Sequence, residues 1–286
     1  MLKTVLKYIF FVVVGAFALI GMLFTGVFIA MRFGAFNVRG SIQERNQFFS
    51  FPTATTATTT PVQTCADPTV RACSWSQTPE WAVIKTGLEK DEPIISDVSL
   101  KTGVPKRMIA AVVVPEQIRF FTSSREIFKS YFEPLKILGS LTQFSLGVSG
   151  IKQETANKIE EYAASTTSPF YPGRGMTELV AYDPGDDHDS TLYARLTDPT
   201  SHYYSYLYTA LFIKEIEAQW QRQGFDASQN PGIIVTLFNI GYQASHPNAN
   251  PGVGGAPITT GGTTYVYGEL GVDFYNSDEL TDIFPK

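Results

Sequence analysis

The sequence predicts a mainly α-helical protein in which one N-terminal transmembrane helix precedes a helical domain with long loops and a small β-hairpin. Three observations lead to this prediction. Residues 8–31 contain no charge, several later segments repeat apolar residues at helical spacing, and residues 263–267 alternate like a hairpin strand within a glycine-rich region. No segment repeats along the chain, so the folded part is predicted to form one domain.

The apolar run assigns residues 1–33 to a membrane anchor. At about 1.5 Å per residue in a helix, this run crosses a hydrocarbon layer of about 30 Å. It is too long for the apolar part of a secretory signal, and no small-residue cleavage site follows it. A buried core helix is the alternative, but such helices are rarely apolar on every face. We therefore expect a single-pass protein of the cytoplasmic membrane.

The orientation of the anchor is less clearly marked. Basic residues flank it on both sides, so their count does not decide which side is cytoplasmic. Residues 34–77 form a threonine-rich linker without the apolar spacing of a folded segment. Cys65 and Cys73 can close a small loop in an oxidising compartment and remain thiols in a reducing one. The linker and the cysteine pair favour an extracytoplasmic location for the domain formed by residues 78–286.

Length and charge limit what this domain can do. The chain has 286 residues, of which 44% are hydrophobic, which is enough for one sizeable core. Its formal net charge of -5 leaves no basic surface, so we predict no nucleic-acid partner. Acidic residues cluster around His188, but they lack the ligand spacing of a calcium loop and a second histidine at helical spacing. We expect a solvated loop there, with no metal or other cofactor.

Apolar spacing locates the helices of the domain. We predict helices at 80–84, 94–98, 108–121, 124–131, 154–164 and 203–223, with a further one opening at Asn230. Residues 168–201 are rich in Gly, Pro and Asp and are predicted to be irregular. Pro115 should kink or divide its helix, because proline removes a backbone donor and clashes with the preceding turn.

Glu116 is the candidate catalytic residue, because it is a lone acid within an apolar run. Burying an ionised carboxylate among apolar side chains is costly, so the group tends to keep its proton and its pKa rises. A carboxylic acid still protonated near neutral pH is suited to general acid catalysis. The alternative is structural: an acid after Pro115 is typical of a first helical turn, and Arg119 lies within reach for an ion pair.

Three segments, taken in order, resemble a known family. The first is Glu116 and Gln117 within a helix, the second is Ser-Leu-Gly-Val-Ser-Gly-Ile-Lys-Gln-Glu-Thr-Ala at 145–156, and the third is Thr-Leu-Phe-Asn-Ile-Gly-Tyr at 236–242. Their order and spacing are similar to those of the lytic transglycosylases and goose-type lysozymes in the lysozyme-like superfamily. The resemblance covers about residues 95–245, and it implies a lysozyme-like helical fold.

The resemblance also implies a site and a reaction. Glu116 falls on the family's catalytic acid, and the implied substrate-binding residues are Gln117, Gly147, Val148, Ser149, Gly150, Ile151, Phe238 and Asn239. The partner is then the peptidoglycan glycan strand, cleaved at the β-1,4 bond between N-acetylmuramic acid and N-acetylglucosamine. Enzymes with paired carboxylates place a second acid across the sugar. Lytic transglycosylases use one acid, which takes back a proton as the muramyl 6-hydroxyl attacks and a 1,6-anhydro product forms.

The match is uneven, which leaves other functions open. Gln117, Ser149, Gly150 and Phe238 replace the family's serine, methionine, glutamine and tyrosine, so the polar groups around the acid are fewer. A muramidase that uses water is the nearest variant of the predicted enzyme. Two alternatives belong to other classes: a non-catalytic wall-binding or scaffolding protein that keeps the groove, and a membrane-tethered assembly partner that binds no glycan.

Overall fold

The computed structural model describes residues 71–122 and 145–286, together with separate positions between Lys7 and Gly26. The chain divides into two compact units, Met1–Val38 and Arg39–Lys286. Two predicted features lie outside the described residues: the part of the linker before residue 71 and the short helix at 124–131.

In the first unit, every described position is helical and exposed. Among these positions are Phe11, Phe17 and Met22, which are large apolar side chains. Within the described part of the chain, no helix combines the length and the apolar character needed to cross a membrane. Most of the predicted anchor, residues 1–33, lies outside that part, so the anchor stays a prediction.

The second unit is mainly helical, as predicted. Its described elements are, in chain order, a 3-10 helix (Arg71–Gln77), α1 (Pro79–Thr102), α2 (Lys106–Thr122), β1 (Ser145–Leu146), β2 (Ile151–Lys152), α3 (Gln153–Ala164), α4 (Met176–Leu179), α5 (His188–Thr197), α6 (Tyr203–Arg222), α7 (Pro231–Ile240), β3 (Pro257–Thr260), β4 (Thr263–Val266) and α8 (Tyr267–Asn276). β1 pairs with β2, and β3 with β4, in two antiparallel hairpins. The predicted C-terminal hairpin is confirmed, whereas the first hairpin was not predicted.

The folded unit begins upstream of residue 78. Trp75, in the 3-10 helix, is fully buried, and its ring meets that of Trp81 edge-on at 4.7 Å between centroids. Cys73 is also buried and is disulfide-bonded. Cys73, Trp75 and Ser76, which lie within the predicted linker, are therefore buried in the folded unit. Tryptophan and cysteine supply apolar surface that the threonine-rich stretch before them lacks.

α2 is the central helix of the unit, and it packs against α1, α6, α7 and α8. Pro115 lies inside α2 and does not divide it, so of the two outcomes predicted for this proline, a kink or a division, the division is wrong. The carbonyl that loses its helical donor to this proline is that of Ala111, and it faces Gly271 of α8. The hydroxyl of Tyr267 donates to the next carbonyl, that of Val112, at 3.2 Å. α8 thus packs closely along the side of α2 where the helical hydrogen bonding is interrupted.

The stretch 168–201 is less irregular than predicted, because α4 and α5 lie within it. Asp187 caps α5, since its carboxylate accepts a hydrogen bond from the backbone N–H of Ser190 at 2.9 Å. A helix start of this kind needs only one acidic residue in the right place. The Gly, Pro and Asp content of the stretch therefore did not exclude a helix.

Arg107, at the start of α2, anchors the C-terminal segment. Its guanidinium is fully buried and donates hydrogen bonds of 2.7 to 3.0 Å to the carbonyl oxygens of Phe274, Tyr275, Ser277, Glu279 and Phe284. Several of these carbonyls end α8, where the helix dipole favours a cation. One end of α2 is thereby fixed to α8, and the other end carries Glu116.

Candidate active site

Glu116 lies near the C-terminal end of α2 and exposes 9% of its surface. Its two carboxylate oxygens have different partners. Arg119, on the same helix, forms an ion pair with Oε1, and the hydroxyl of Tyr267 lies 3.3 Å from Oε2. The expectation of an acid surrounded by apolar groups alone is therefore wrong.

The turn between β1 and β2 lies against this carboxylate. Gly147 and Gly150 in the turn have φ angles of 63° and 65°, in the left-handed region that favours glycine. A Cβ atom on Gly150 would lie 2.2 Å from Oε1 of Glu116, and one on Gly147 would lie 2.2 Å from Oγ of Ser205 in α6. The two glycines thus allow the backbone of the turn to fit between the acid and α6.

The remaining predicted residues of this region have structural partners. The side-chain amide of Gln117 donates to the carbonyl oxygen of Val148, which ties α2 to the turn. The hydroxyl of Ser149 is fully buried and donates to the carbonyl oxygen of Ser205 at 2.8 Å. Ile151 is buried in the core. The side chains of Ser149 and Ile151 face inward, so they hold the hairpin in place and offer no surface to a ligand.

Phe238 and Asn239 lie near the end of α7, and Asn239 is the one of the two whose contacts lead towards the site. The ring of Phe238 packs on that of Phe212 at 4.8 Å between centroids. Oδ1 of Asn239 accepts a hydrogen bond from the backbone N–H of Ala256 at 2.8 Å. A Cβ atom on Gly255 would lie 2.9 Å from both Oδ1 of Asn239 and the Cβ of Tyr267. Asn239 therefore positions the loop beside the tyrosine that reaches Glu116.

Tyr267 was missed as a site residue, because the sequence placed it at the end of a hairpin strand. It opens α8 instead, it is fully buried, and burial raises the pKa of its phenol well above the usual range. Its hydroxyl reaches both Glu116 and the carbonyl oxygen of Val112, but a phenol has one proton to donate. It can donate to the carboxylate when Glu116 is ionised, or to Val112 while accepting from a protonated Glu116. No local sequence signal marks this contact.

A second buried glutamate was also missed. Glu215, in α6, is fully buried, and desolvation raises the pKa of its carboxyl to about 9. Tyr242 donates a hydrogen bond to Oε2, while Oε1 has no hydrogen-bond partner among the described residues. Because this carboxyl lies within the core, a substrate cannot reach it.

The acidic cluster around His188 has partners of its own. Nε2 of His188 lies 2.7 Å from a carboxylate oxygen of Glu160 in α3, and Asp187 caps α5. In the described ranges, no group of histidine, cysteine, aspartate and glutamate is arranged to hold a metal ion.

Comparison with known proteins adds no relative from which a role for these residues could be transferred. No protein-family model matches the sequence, no curated protein matches it, and no solved structure matches the fold.

Proposed function

We propose that the second unit is a lysozyme-like domain that cleaves peptidoglycan glycan strands, acting as a lytic transglycosylase held at the membrane by the N-terminal segment. One observation carries the proposal: segments far apart in the sequence converge on a single carboxylate. The turn at Gly150 touches one oxygen of Glu116, and α8 reaches the other through Tyr267. Convergence of this kind around an ionisable side chain is typical of functional sites.

Glu116 acts first as the acid. Its carboxyl group gives a proton to the oxygen of the bond between N-acetylmuramic acid and N-acetylglucosamine, and the bond from that oxygen to C1 breaks. The 6-hydroxyl of the muramyl sugar then attacks C1 and returns its proton to Glu116. The products are a 1,6-anhydro end and a new N-acetylglucosamine end, and the carboxyl is restored. A muramidase differs only in the second step, in which water attacks instead.

The surroundings of Glu116 support a sugar ligand. Gly150 carries no side chain, so the backbone of the turn lies directly against the carboxylate of Glu116 and borders the place that a sugar would take there. Disulfide-bonded Cys73 supports an extracytoplasmic location, because such bonds persist in oxidising compartments. The glycan strand is found in the same place.

A non-catalytic wall-binding protein is the second candidate, and the ion pair between Glu116 and Arg119 favours it. A carboxylate that serves only to hold an arginine has a structural role. This candidate predicts that the protein binds purified sacculi and leaves the glycan intact.

Zymography on peptidoglycan gels separates the two candidates. We expect the full-length chain to clear the gel and its Glu116→Gln variant to leave the gel unchanged while still binding sacculi in a pull-down. Binding by both proteins without clearing would replace the enzyme with the wall-binding candidate. Absence of binding by either would reject both.

A further inference from the structure

The phenol of Tyr267 has two acceptors within reach, and the inference drawn from this contact rests on the proposed function. Its hydroxyl lies 3.3 Å from Oε2 of Glu116 and 3.2 Å from the carbonyl oxygen of Val112. The side chain is fully buried, and burial raises the pKa of the phenol well above its usual range, so the phenol keeps its own proton. One proton therefore serves two acceptors.

The direction of that proton depends on the charge of Glu116. The proposed reaction takes the carboxyl through two states, protonated before the glycosidic bond breaks and ionised after it. An ionised carboxylate is the stronger acceptor, so the phenol donates to Oε2 while the carboxyl lacks its proton. When Glu116 holds the proton, the carboxyl donates to the phenol, and the phenol donates to the carbonyl oxygen of Val112.

The charges around the phenol come from one helix. Among the described residues, the charged groups that act on it are Glu116 and Arg119, and both belong to α2. The end of α7 brings the uncharged amide of Asn239 towards the same tyrosine, and the turn between β1 and β2 brings Gly150 against the acid. Glu116 is the group whose charge changes in the proposed reaction, so the proton of Tyr267 follows the state of this acid.

The loop after α7 fixes the backbone of Tyr267. The N–H of Tyr267 donates to the carbonyl oxygen of Ala256 at 3.0 Å, and the N–H of Ala256 donates to Oδ1 of Asn239 at 2.8 Å. Thr236 holds the same loop, because its hydroxyl accepts from the N–H of Gly254 at 3.0 Å. Asn239 exposes only 6% of its surface. The side chain of Asn239 is thus linked to Tyr267 through two consecutive hydrogen bonds.

We infer that Tyr267 is the positioning residue of Glu116, donating to its carboxylate in the ionised state and releasing it in the protonated state, and that Asn239 acts on Glu116 through Tyr267. A hydrogen bond to the ionised acid stabilises the state that forms as the proton leaves, so it speeds the breaking of the glycosidic bond. Neither residue contacts the sugar in this arrangement, so both affect kcat and leave KM unchanged.

Kinetics of the full-length chain on soluble, un-cross-linked peptidoglycan strands tests the role of Tyr267, with new glycan ends as the signal. We expect Tyr267→Phe to lower kcat about tenfold and to keep KM within about twofold, since the lost hydrogen bond serves a charged group. The limb of the pH–rate profile on which activity falls as Glu116 loses its proton should move to higher pH.

Tyr265→Phe is the matched control. Tyr265 is also fully buried, and its hydroxyl forms a hydrogen bond with that of Ser74 in the 3-10 helix. This change removes a buried hydroxyl two residues from Tyr267 and should leave both kcat and the pH–rate profile unchanged. Thermal unfolding of each variant checks its fold.

A double-mutant cycle tests the role of Asn239. Asn239→Ala removes the acceptor for the N–H of Ala256 and should lower kcat about fivefold, with KM within about twofold. In a chain that already carries Tyr267→Phe, the same change should lower kcat by less than about twofold, because the hydroxyl through which Asn239 acts is gone.

The outcomes separate this inference from the proposed function. A kcat within twofold of the unchanged protein in Tyr267→Phe, or an equal loss in Tyr265→Phe, overturns the role of Tyr267 and leaves glycan cleavage by Glu116 standing. A raised KM in Asn239→Ala, or losses that multiply in the double variant, overturns the action of Asn239 through Tyr267. Absence of new glycan ends with the unchanged protein removes the proposed enzyme and this inference with it.

Discussion

Two buried glutamates, Glu116 in α2 and Glu215 in α6, have opposite environments. Glu116 pairs with a cation, is reached by a tyrosine and keeps some exposure at the edge of the site. Glu215 has a tyrosine partner on one oxygen and no hydrogen-bond partner on the other among the described residues, and it is held neutral by burial. One acid keeps a small exposed surface, and the other has none.

The difference teaches that neighbours in sequence are a poor guide to the environment of an acid. Glu116 follows a run of valines, which suggested a carboxyl in apolar surroundings. In the folded chain, however, Arg119 lies three residues further along the same helix and forms an ion pair with this carboxylate. Glu215 stands between Lys214 and Ile216, one turn from other polar residues, and is the desolvated acid because α6 is packed on nearly all sides.

The largest expected effect concerns the stability contributed by Glu215. Its carboxyl ionises near pH 4.5 in the unfolded chain and near pH 9 in the folded one, so between these values the unfolded state loses a proton that the folded state keeps. The free energy of unfolding should therefore fall as pH rises through this window, by roughly 6 kcal/mol in total. Urea unfolding of the full-length chain at several pH values measures the slope.

Glu215→Gln should flatten that slope, because glutamine is neutral at every pH and still accepts from Tyr242. Glu217→Gln, one half-turn away and paired with Lys214, is the control and should leave the slope in place. If the slope survives in Glu215→Gln, the contrast between the two buried acids is wrong.

The next largest effect concerns Glu116. Its replacement by glutamine should reduce glycan cleavage by at least about 100-fold, the usual contribution of an acid–base group. The same change removes the charge that faces a largely buried guanidinium, so the free energy of unfolding should fall as well, and urea unfolding must show that the variant is folded under the assay conditions. Glu154→Gln, an exposed acid in the first turn of α3, is the control. Cleavage within tenfold of the unchanged protein would assign Glu116 a structural role.

Gly150 tests how closely the turn must approach the acid. Gly150→Ala introduces a Cβ atom into the carboxylate of Glu116, whereas Gly103→Ala has a similar left-handed φ and open space around it. Both changes carry the strain of a left-handed alanine, and only Gly150→Ala adds the clash. We expect Gly150→Ala to lower the free energy of unfolding by about 2 kcal/mol more than Gly103→Ala, and to lower cleavage as well. Equal losses of unfolding free energy in the two variants, measured with urea, would show that the turn moves to accommodate the added methyl group.

The smallest effect comes from the two tyrosines that contact these acids. Tyr242→Phe removes the one hydrogen bond recorded for the carboxyl of Glu215, whereas Tyr267→Phe leaves Glu116 with Arg119. We expect the first change to cost about 1 kcal/mol more in unfolding free energy than the second, because an unsatisfied buried polar group is the costlier defect. Thermal unfolding of both variants at one pH measures which change destabilises the protein more. A larger loss for Tyr267→Phe than for Tyr242→Phe would contradict the difference drawn between the two acids.

Much of the fold follows from the sequence, because helical spacing is a local property. α3 and α6 lie almost where apolar periodicity predicted them, and Asn230 begins α7 through its side chain, which accepts from the N–H of Ile233. The Thr-rich linker was extended too far because the two buried residues at its end, Cys73 and Trp75, stand among polar neighbours.

The site could be predicted only in part. Glu116 was identified because it is an acid in an apolar run, and Gly147 and Gly150 were identified through the resemblance of residues 145–156 to the family motif. The contact between Glu116 and Tyr267 joins residues 151 positions apart, and the sequence around neither residue predicts it. The inward orientation of Ser149 depends on a carbonyl in α6 that becomes its partner only after the chain has folded.

The most direct test of Glu116 as the functional acid is mass analysis of the ends released when the full-length chain digests purified sacculi. The proposal predicts 1,6-anhydromuramyl ends from the unchanged protein and none from Glu116→Gln. Intact sacculi with the unchanged protein, or equal release by both proteins, would contradict it.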